Sequence, residues 1–250
     1  MSDNSCNAAQ ANREWYDRLT AGQEDYWRLM AAPRLRVRTA LKAVARANPA
    51  RLCDFGCGNG ALLEAVHARF PGTELMGLDL SPELVAHNQT RLPHMAFACA
   101  DLCDPAFALP WEPVHMALSL EVLEHLQEPA AYLKSIRKSL APGGGLFLST
   151  QSGRIRETER RVGHIRHWSA QDMAQALTDA GFTAVTVRNA GWPFHDLSKH
   201  LANRNPDKTM QSFGESAYGP KQRFVCWGLR VLFAFNSGSR GSQLFATAQA

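Results

Sequence analysis

The 250-residue sequence lacks a strong charge of either sign, an apolar N-terminal segment and an apolar run of membrane-spanning length. Its 27 Lys and Arg residues against 23 Asp and Glu residues give a net charge of only +4. This balance argues against a general nucleic-acid binder, although a local basic patch stays open. The polar first ten residues carry no recognisable secretory signal, which predicts a cytoplasmic protein.

The six cysteines form neither a disulfide pattern nor a zinc pattern. Two pairs have a C-x3-C spacing, but Cys53 and Cys57 flank a predicted turn, and Cys99 and Cys103 lie on a predicted strand and its exit. These positions predict reduced thiols, and no metal ligands are assigned. Whether a divalent metal takes part is left open, because histidines near acids can bind one without a fixed spacing.

The feature that is present is a glycine loop. Residues 52–60 read LCDFGCGNG, and Asp79 follows nineteen residues after Gly60, at the end of a second apolar strand. A strand that enters alternating glycines and then a helix forms a turn without Cβ atoms, so a ligand can lie against the backbone. An acid at the tip of the next strand is placed to accept from a ribose diol. The pattern predicts a pocket for a nucleoside cofactor.

Asp54 decides which nucleoside cofactor is expected. The spacing is G-x-G-x-G, not the dinucleotide G-x-G-x-x-G, and a carboxylate two residues before Gly56 repels pyrophosphate. The same carboxylate suits an ammonium group, and S-adenosylmethionine carries an ammonium and a ribose but no phosphate. Residues 50–150 resemble the class I S-adenosylmethionine-dependent methyltransferases, whose first motif is an acid followed by this loop.

Three further stretches fit that family in the correct order: residues 99–102 (CADL), 116–125 (MALSLEVLEH) and 140–149 (LAPGGGLFLS). The resemblance implies that Asp101 accepts from the adenine amino group and that Arg36, or alternatively Arg34, grips the cofactor carboxylate. S-adenosylhomocysteine is the implied product. The implied cofactor-binding residues are Arg36, Asp54, Gly56, Cys57, Gly58, Gly60, Asp79, Leu80, Asp101, Leu102 and Glu121.

Strand and helix signals alternate along the chain, which predicts an α/β fold in one domain, residues 1–250. The resemblance implies a doubly wound, mostly parallel seven-stranded sheet whose last strand, residues 242–248, is antiparallel. We expect a helical lid over residues 12–47, a cofactor-binding half over 50–150 and a helical cap insertion over 190–241. Within the cap, residues 224–235 are too short to span a bilayer, so core packing is favoured over contact with a membrane surface.

Methyl transfer to a hydroxyl needs a base, and histidine titrates near neutral pH. His164 and His167 lie in the segment GHIRHWS, residues 163–169, which follows the predicted fifth strand and resembles a stretch of the ubiquinone-pathway O-methyltransferases. These two and His125 are the catalytic candidates, and packing or helix capping is the alternative. His195 is weaker. Five arginines near this segment either face solvent or hold an anionic acceptor or lipid: Arg154, Arg156, Arg160, Arg161 and Arg166.

These patterns predict S-adenosylmethionine-dependent methyl transfer to a small-molecule acceptor, favoured as O-methylation of a hydroxyl in biosynthetic metabolism. The alternatives are N- or C-methylation, an RNA or protein methyltransferase, and a non-catalytic cofactor-binding protein. The modest charge and the sequence SLEV after the fourth strand, where macromolecule enzymes carry an Asn/Asp-Pro-Pro-Tyr-like motif, argue against nucleic acid as partner. The sequence does not specify the acceptor or the oligomeric state.

Overall fold

A computed structural model describes residues 24–213 and 217–250. The strands are β1 Arg51–Phe55, β2 Glu74–Asp79, β3 Ala96–Cys99, β4 Val114–Leu120, β5 Leu140–Gln151, β6 Thr183–Ala190 and β7 Gln243–Gln249. The helices are α1 Glu24–Leu29, α2 Ala31–Ala47, α3 Ala61–His67, α4 Pro82–Arg91, α5 Pro129–Ser139, α6 Glu157–Arg161, α7 Ala170–Asp179, α8 Phe194–Ala202, α9 Pro206–Phe213 and α10 Pro220–Phe233. A 3-10 turn, Leu123–His125, follows β4.

The strands form one sheet in the order β3-β2-β1-β4-β5-β7-β6. β7 is antiparallel to both of its neighbours, and the other strands run parallel to one another. The expected seven-stranded, mostly parallel sheet with an antiparallel last strand is therefore confirmed. The strand order reverses between β1 and β4, and in doubly wound sheets the ligand crevice lies at the carboxyl ends of the strands at this point.

Two apolar layers cover the sheet, because alternate side chains of each strand point to opposite faces. One layer includes Phe55, Tyr132 of α5 and Leu177 of α7. The other includes Leu52 and Val44 of α2. Both layers are buried, and this arrangement accounts for the near-continuous apolar character of the central strands.

Serine caps, a proline and residues with a positive φ mark several helix ends. Ser81 and Ser169 accept from the backbone amides three residues ahead, and Pro82 occupies the first turn of α4. Gly181 ends α7 with a φ of 89°, a left-handed conformation that costs glycine little. Asn48 ends α2 in the same region, with a φ of 43°.

β5 begins at Leu140, the first residue of the stretch 140–149, because Leu140 pairs with Val114 before a register shift near the Pro-Gly-Gly turn. One boundary differs from the expectation. The predicted N-terminal helix is broken at Met30, whose extended backbone precedes Ala31 at the start of α2. The rest of the predicted lid, residues 12–23, lies outside the described residues.

The predicted cap insertion contains α8, α9 and α10. Core packing was expected for residues 224–235, and it holds for Cys226 and Phe233 but is wrong for the opposite face. Among residues 24–213 and 217–250, α10 packs on α1, α2 and α8, and Phe224 is 70% exposed and Phe235 71% exposed. Within the described residues, no helix is both long and apolar enough to cross a membrane.

Tyr132 links the core to the strand that precedes the glycine loop. Its hydroxyl donates to the Phe55 carbonyl oxygen (2.9 Å), and the Ser119 hydroxyl lies 2.7 Å from the same Tyr132 oxygen. Because a carbonyl oxygen only accepts, Ser119 is the donor to Tyr132. All three groups are buried.

We predict that Tyr132→Phe lowers the free energy of unfolding by about 1 to 3 kcal/mol, because it leaves the buried Phe55 carbonyl without its donor and Ser119 without its acceptor. Urea denaturation measures this change. The matched control is Thr178→Val, which removes a hydroxyl that donates to Ala174 on the exposed side of α7; its effect should stay within about 0.5 kcal/mol. Equal effects for the two variants would contradict the interpretation.

Candidate active site

The glycine loop connects β1 to α3, at the point where the strand order reverses. Gly56, Gly58 and Gly60 have φ values of 83°, 52° and 74°, which non-glycine residues rarely adopt. A Cβ on Gly56 would lie 2.5 Å from the Val122 side chain, so the loop needs glycine there to pack against the turn after β4. A Cβ on Gly58 would meet no atom of the described residues within 4 Å. The Cα of Gly58 therefore leaves room for a ligand, as a cofactor cradle requires.

Asp54 lies at the end of β1, paired with Gly77 of β2 and Leu118 of β4. It is only 2% exposed, and its Oδ1 has no hydrogen-bond partner in the part of the chain that the structure describes. Burial, and secondarily the charge of Asp79, raises the pKa of Asp54 well above its ordinary value. An ammonium group would supply both the missing donor and the missing positive charge, so this carboxylate fits the cofactor that the sequence indicates.

Asp79 stands at the tip of β2, directly beside the glycine loop. Its Oδ2 accepts from the Gly58 amide (2.8 Å), and its Oδ1 accepts from the Ser81 amide (3.0 Å). These two bonds fix the orientation of the Asp79 carboxylate at the tip of β2, and a carboxylate has about four lone-pair sites. The next residue, Leu80, is 50% exposed and lies at the mouth of the same crevice.

The loop after β3 lies next to this carboxylate, because the Ala100 amide donates to the Asp79 carbonyl oxygen (2.9 Å). Asp101 Oδ1 accepts from the Cys103 amide (2.8 Å), and Leu102 is buried. The Cys57 amide donates to the Leu78 carbonyl (2.9 Å), and its side chain is buried. The structure thus brings the loops after β1, β2 and β3 together at one edge of the sheet.

Arg36 and Glu121, both implied as cofactor ligands, form an ion pair of 3.3 Å between Nη1 and Oε2. Glu121 also accepts from Ser149 (2.8 Å), Gln243 (3.0 Å) and Gln151. Burial opposes ionisation, but the Arg36 guanidinium and these donors together lower the pKa of Glu121 to about 2. Glu121 has a φ of 58°, a strained value that this set of bonds holds in place.

The three candidate histidines form one cluster. The ring centroid of His164 lies 4.8 Å from that of His125 and 5.3 Å from that of His167. Burial, the largest cause in each case, lowers the pKa of His125 to about 4 and that of His164 to about 2, and it also lowers the pKa of His167. The cluster is therefore neutral at physiological pH.

Backbone contacts hold the histidine segment against the turn after β4. The amides of Ile165 and Arg166 donate to the Glu124 carbonyl oxygen at 2.9 and 3.2 Å. His125 Nδ1 lies 3.1 Å from the Gly163 carbonyl oxygen, in the same segment. These bonds connect residues about forty positions apart, and Val122 of the same turn packs on Gly56, so the histidine cluster adjoins the glycine loop.

Glu159 and Lys199 were not identified from the sequence. Lys199 of α8 pairs with Glu159 Oε1 of α6 and donates to Gln151 Oε1 (2.9 Å). His167 Nε2 lies 3.9 Å from Glu159, whose charge Lys199 already balances. No motif indicated these residues, because their partners come from separate elements that only the fold brings together.

The remaining sequence candidates have structural partners. Arg161 pairs with Glu157 and Asp207 on the surface, as a solvated face requires. Arg166 lies over the Trp168 ring, 5.4 Å from its centroid. His195 is buried, with Nδ1 3.6 Å from Asp196 and the Phe233 ring beside it. A separate surface cavity of about 490 Å³ opens between α2 and β5, β6 and β7, and no residue of the glycine loop or of the histidine cluster lines it.

A family model described as a methyltransferase domain matches residues 24–187, which is more than half of the chain. The chain belongs to the methyltransferase domain family. This match agrees with the methyltransferase class that the glycine loop and Asp54 predict.

Two curated relatives are trans-aconitate 2-methyltransferases. The protein of Methylobacterium nodulans is 40% identical over 114 residues, which cover 44% of this chain and 43% of the relative. The protein of Yersinia pestis is 29% identical over 180 residues, which cover 70% of this chain and 67% of the relative. The matched part of this methyltransferase thus spans less than half of the first relative. These names do not confirm the finer likeness to the ubiquinone-pathway enzymes.

Solved structures confirm the fold. The N-methyltransferase NodS of Bradyrhizobium japonicum, solved with S-adenosylhomocysteine, has a TM-score of 0.57 at 20% identity, over 95% of this chain and 97% of its own. Phosphoethanolamine N-methyltransferase 2 of Haemonchus contortus, solved with S-adenosylmethionine, has a TM-score of 0.57 at 18% identity, over 84% of this chain and 52% of its own. At these identities the likeness extends to the fold alone.

We predict that Asp79→Asn raises the dissociation constant for S-adenosylhomocysteine about 10- to 100-fold, because a charged acceptor for a diol is worth about 1.5 to 3 kcal/mol. Asparagine keeps an oxygen for the backbone amides and tests the charge. Isothermal titration calorimetry gives the constant. Asp179→Asn, on the exposed end of α7, is the matched control and should bind as the wild type does. An unchanged constant for Asp79→Asn would mean that Asp79 is not at the ribose.

Proposed function

We propose that this methyltransferase transfers a methyl group from S-adenosylmethionine to an oxygen of a small-molecule acceptor, with a hydroxyl as the favoured group. The observation that supports this most is the neutral histidine cluster beside the glycine loop. A hydroxyl must lose its proton as it is methylated, and a neutral imidazole has the lone pair that takes it. When bound, the cofactor supplies a methyl group already activated by the sulfonium.

We propose specific roles for the residues around the cofactor. Asp54 holds the ammonium group, Asp79 the ribose diol, and Asp101 with the Leu102 amide the adenine. Arg36, anchored by Glu121, orients toward the cofactor carboxylate. The remaining proposed contacts are backbone or packing contacts from Gly56, Cys57, Gly58, Gly60 and Leu80.

The catalytic residues of this proposal are His164, His167 and His125. Of the three, His164 is central, because it lies in ring contact with both of the others. His167 acts behind it as a positioning residue, through the 3.0 Å contact between His164 Nδ1 and His167 Nε2. The helix-start role of Ser169 is a separate feature that the histidines do not share.

We propose that the cap and the segment after β5 form the acceptor pocket. Lys199 of α8 reaches Glu159 of α6, and Asn203 bonds with Thr158 at 2.8 Å, so the two segments are in direct contact. The N-terminal segment joins them, because the Tyr218 amide donates to Asp25 (2.7 Å). These contacts support a pocket between the three segments, and the boundaries of the lid, 12–47, and of the cap, 190–241, stay predictions.

A carboxylate oxygen is the second candidate acceptor. The relatives' names specify trans-aconitate, a tricarboxylic acid, and the segment after β5 carries exposed arginines that suit an anion, such as Arg154 and Arg160. A carboxylate is already ionised and needs no base. The histidine variants below therefore distinguish the two acceptors, and the ubiquinone-type hydroxyl acceptor stays the favoured proposal.

Other predictions from the sequence stay open at this stage. One screen tests these alternatives: phenols, catechols, amines and carboxylates are each assayed for S-adenosylhomocysteine formation. The alternatives are N- or C-methylation, action on RNA or protein, and cofactor binding without turnover. The cytoplasmic location stays a prediction. The five cysteines within the described residues are free thiols, as the sequence predicts. Peripheral membrane contact through the exposed face of α10, with Phe224 and Trp227, also stays a prediction.

We predict that His164→Ala lowers turnover about 10²- to 10⁴-fold on a hydroxyl acceptor while cofactor affinity stays nearly intact. His87→Ala, on the exposed face of α4, is the control and should keep full turnover. For a carboxylate acceptor, His164→Ala should have little effect on turnover. Steady-state kinetics with calorimetric cofactor binding measures both quantities.

The pH profile provides a second readout of the same variant. A lowered histidine pKa keeps the competent neutral form dominant as the pH falls, and competence is lost only when the pH passes through the lowered value. Because the pKa of His125 is about 4 and that of His164 about 2, the wild-type rate should stay flat from neutral pH down to about pH 5. An acid limb near the ordinary histidine pKa that His164→Ala removes would contradict this account.

A further inference from the structure

Glu124, His125 and His164 each offer one metal-ligand atom, and these atoms lie within 4.8 Å of one another. The first two belong to the turn after β4, and the third comes from the segment that the Glu124 carbonyl holds in place. The sequence assigned no metal ligands and left a divalent metal open, because histidines near acids can bind one without a fixed spacing. The hydrogen bonds around the cluster show what it can bind.

Those bonds fix the position of the proton on each ring. A carbonyl oxygen only accepts, so His125 carries its proton on Nδ1, toward the Gly163 carbonyl (3.1 Å), and His167 carries its proton on Nδ1, toward the Gly153 carbonyl (3.1 Å). Neutral His167 can then only accept at Nε2, so His164 Nδ1 is the donor across their 3.0 Å contact. His125 and His164 therefore both carry their lone pair on Nε2.

Glu124 provides the second observation. Its side chain is fully buried, and its Oε2 accepts from the Thr150 hydroxyl (2.7 Å), whereas its Oε1 has no hydrogen-bond partner among residues 24–213 and 217–250. A buried oxygen left in this state costs free energy unless it is paired, bonded or bound to a metal. The ion pair that the Arg36 guanidinium forms at 3.3 Å is with Glu121. One carboxylate oxygen and one ring nitrogen from each of two histidines thus lie close together.

We propose that Glu124, His125 and His164 bind a divalent first-row metal ion of the kind that takes mixed oxygen and nitrogen ligands, such as Mn²⁺, Co²⁺ or Zn²⁺. Two histidines and one carboxylate form such a site and leave coordination positions for other ligands. Metal-ligating histidines generally donate their other N–H to a carbonyl or another partner. His125 does so to Gly163, and His164 does so to His167, which is the positioning residue of the site.

This inference rests on the proposed function and specifies how the cluster handles the acceptor oxygen. With the metal bound, His164 would serve as its ligand in place of the base. The cation would lower the pKa of an acceptor hydroxyl that it contacts, so the hydroxyl proton would pass to water. The new O–C bond forms as the C–S bond breaks with its electron pair on sulfur. The overall change is acceptor and sulfonium to methyl ether, thioether and one proton, so charge and atoms balance.

Direct metal binding tests the site without any measurement of activity. The full-length protein is freed of metal with a chelator and titrated with Mn²⁺, and the loss of the free-ion electron paramagnetic resonance signal reports binding. We expect one strong site per chain. Glu124→Gln and His164→Ala should each weaken binding at least about 10-fold, and His167→Ala should weaken it about 10- to 100-fold through its partner. His87→Ala should bind as the wild type does.

Circular dichroism and calorimetric binding of S-adenosylhomocysteine show whether each variant is folded. A folded wild-type protein that binds no Mn²⁺, Co²⁺ or Zn²⁺ would overturn the metal site, and so would equal affinity in Glu124→Gln and the wild type. If the metal-free protein still methylates a hydroxyl in a His164-dependent way, the proposed function stands and His164 acts as a direct base. Failure to form S-adenosylhomocysteine with any acceptor would count against the function, whatever the metal titration shows.

Discussion

The active site depends on the close packing of the turn after β4 against the glycine loop. Val122 fills the space that a Cβ on residue 56 would need, so glycine at that position is a packing requirement as well as a conformational one. The same turn places Glu121 on one side, bonded to Arg36, and Glu124 and His125 on the other. The strained φ of Glu121 lets one short segment contact both the cofactor crevice and the histidine cluster.

Three buried carboxylates surround this turn, but one buried guanidinium faces them. Arg36 balances Glu121, and the pKa of Glu121 is lowered to about 2. Among the residues that the structure describes, Asp54 and Glu124 each keep a buried oxygen without a hydrogen-bond partner, and burial raises the pKa of both. Since uncompensated buried charge is costly, each carboxylate is suited to a cation from outside the chain. In our account, the cofactor ammonium pairs with the Asp54 carboxylate, and a divalent metal binds the Glu124 carboxylate.

Local patterns in the sequence carried most of the fold and the cofactor crevice. The glycine loop, Asp54 and Asp79 lie within 26 residues of one another along the chain, and the geometry of a strand, a turn and a helix fixes their relative positions. The caps at Ser81 and Ser169 and the break at Gly181 were predictable for the same reason, because each depends on neighbouring residues.

The polar network beyond the crevice was not predictable. Gln151 and Gln243 come from adjacent antiparallel strands, and Lys199 comes from the cap, yet all three converge near Glu121 and Glu159. Their contacts depend on strand register and on helix placement, which periodicity does not specify. The exposed face of α10 was missed because the apolar sequence of this helix does not show whether one of its faces or both are buried.

The measurement that tests the central claim most directly is proton release on S-adenosylhomocysteine binding, from calorimetry in buffers of different ionisation enthalpy. The raised pKa keeps Asp54 protonated below that value in the ligand-free protein, and the incoming ammonium favours its ionised form. We therefore predict proton release that is largest at acidic pH, that disappears as the pH rises above the raised pKa, and that is absent in Asp54→Asn. Binding without proton release at any pH, or equal release in Asp54→Asn, would contradict the account.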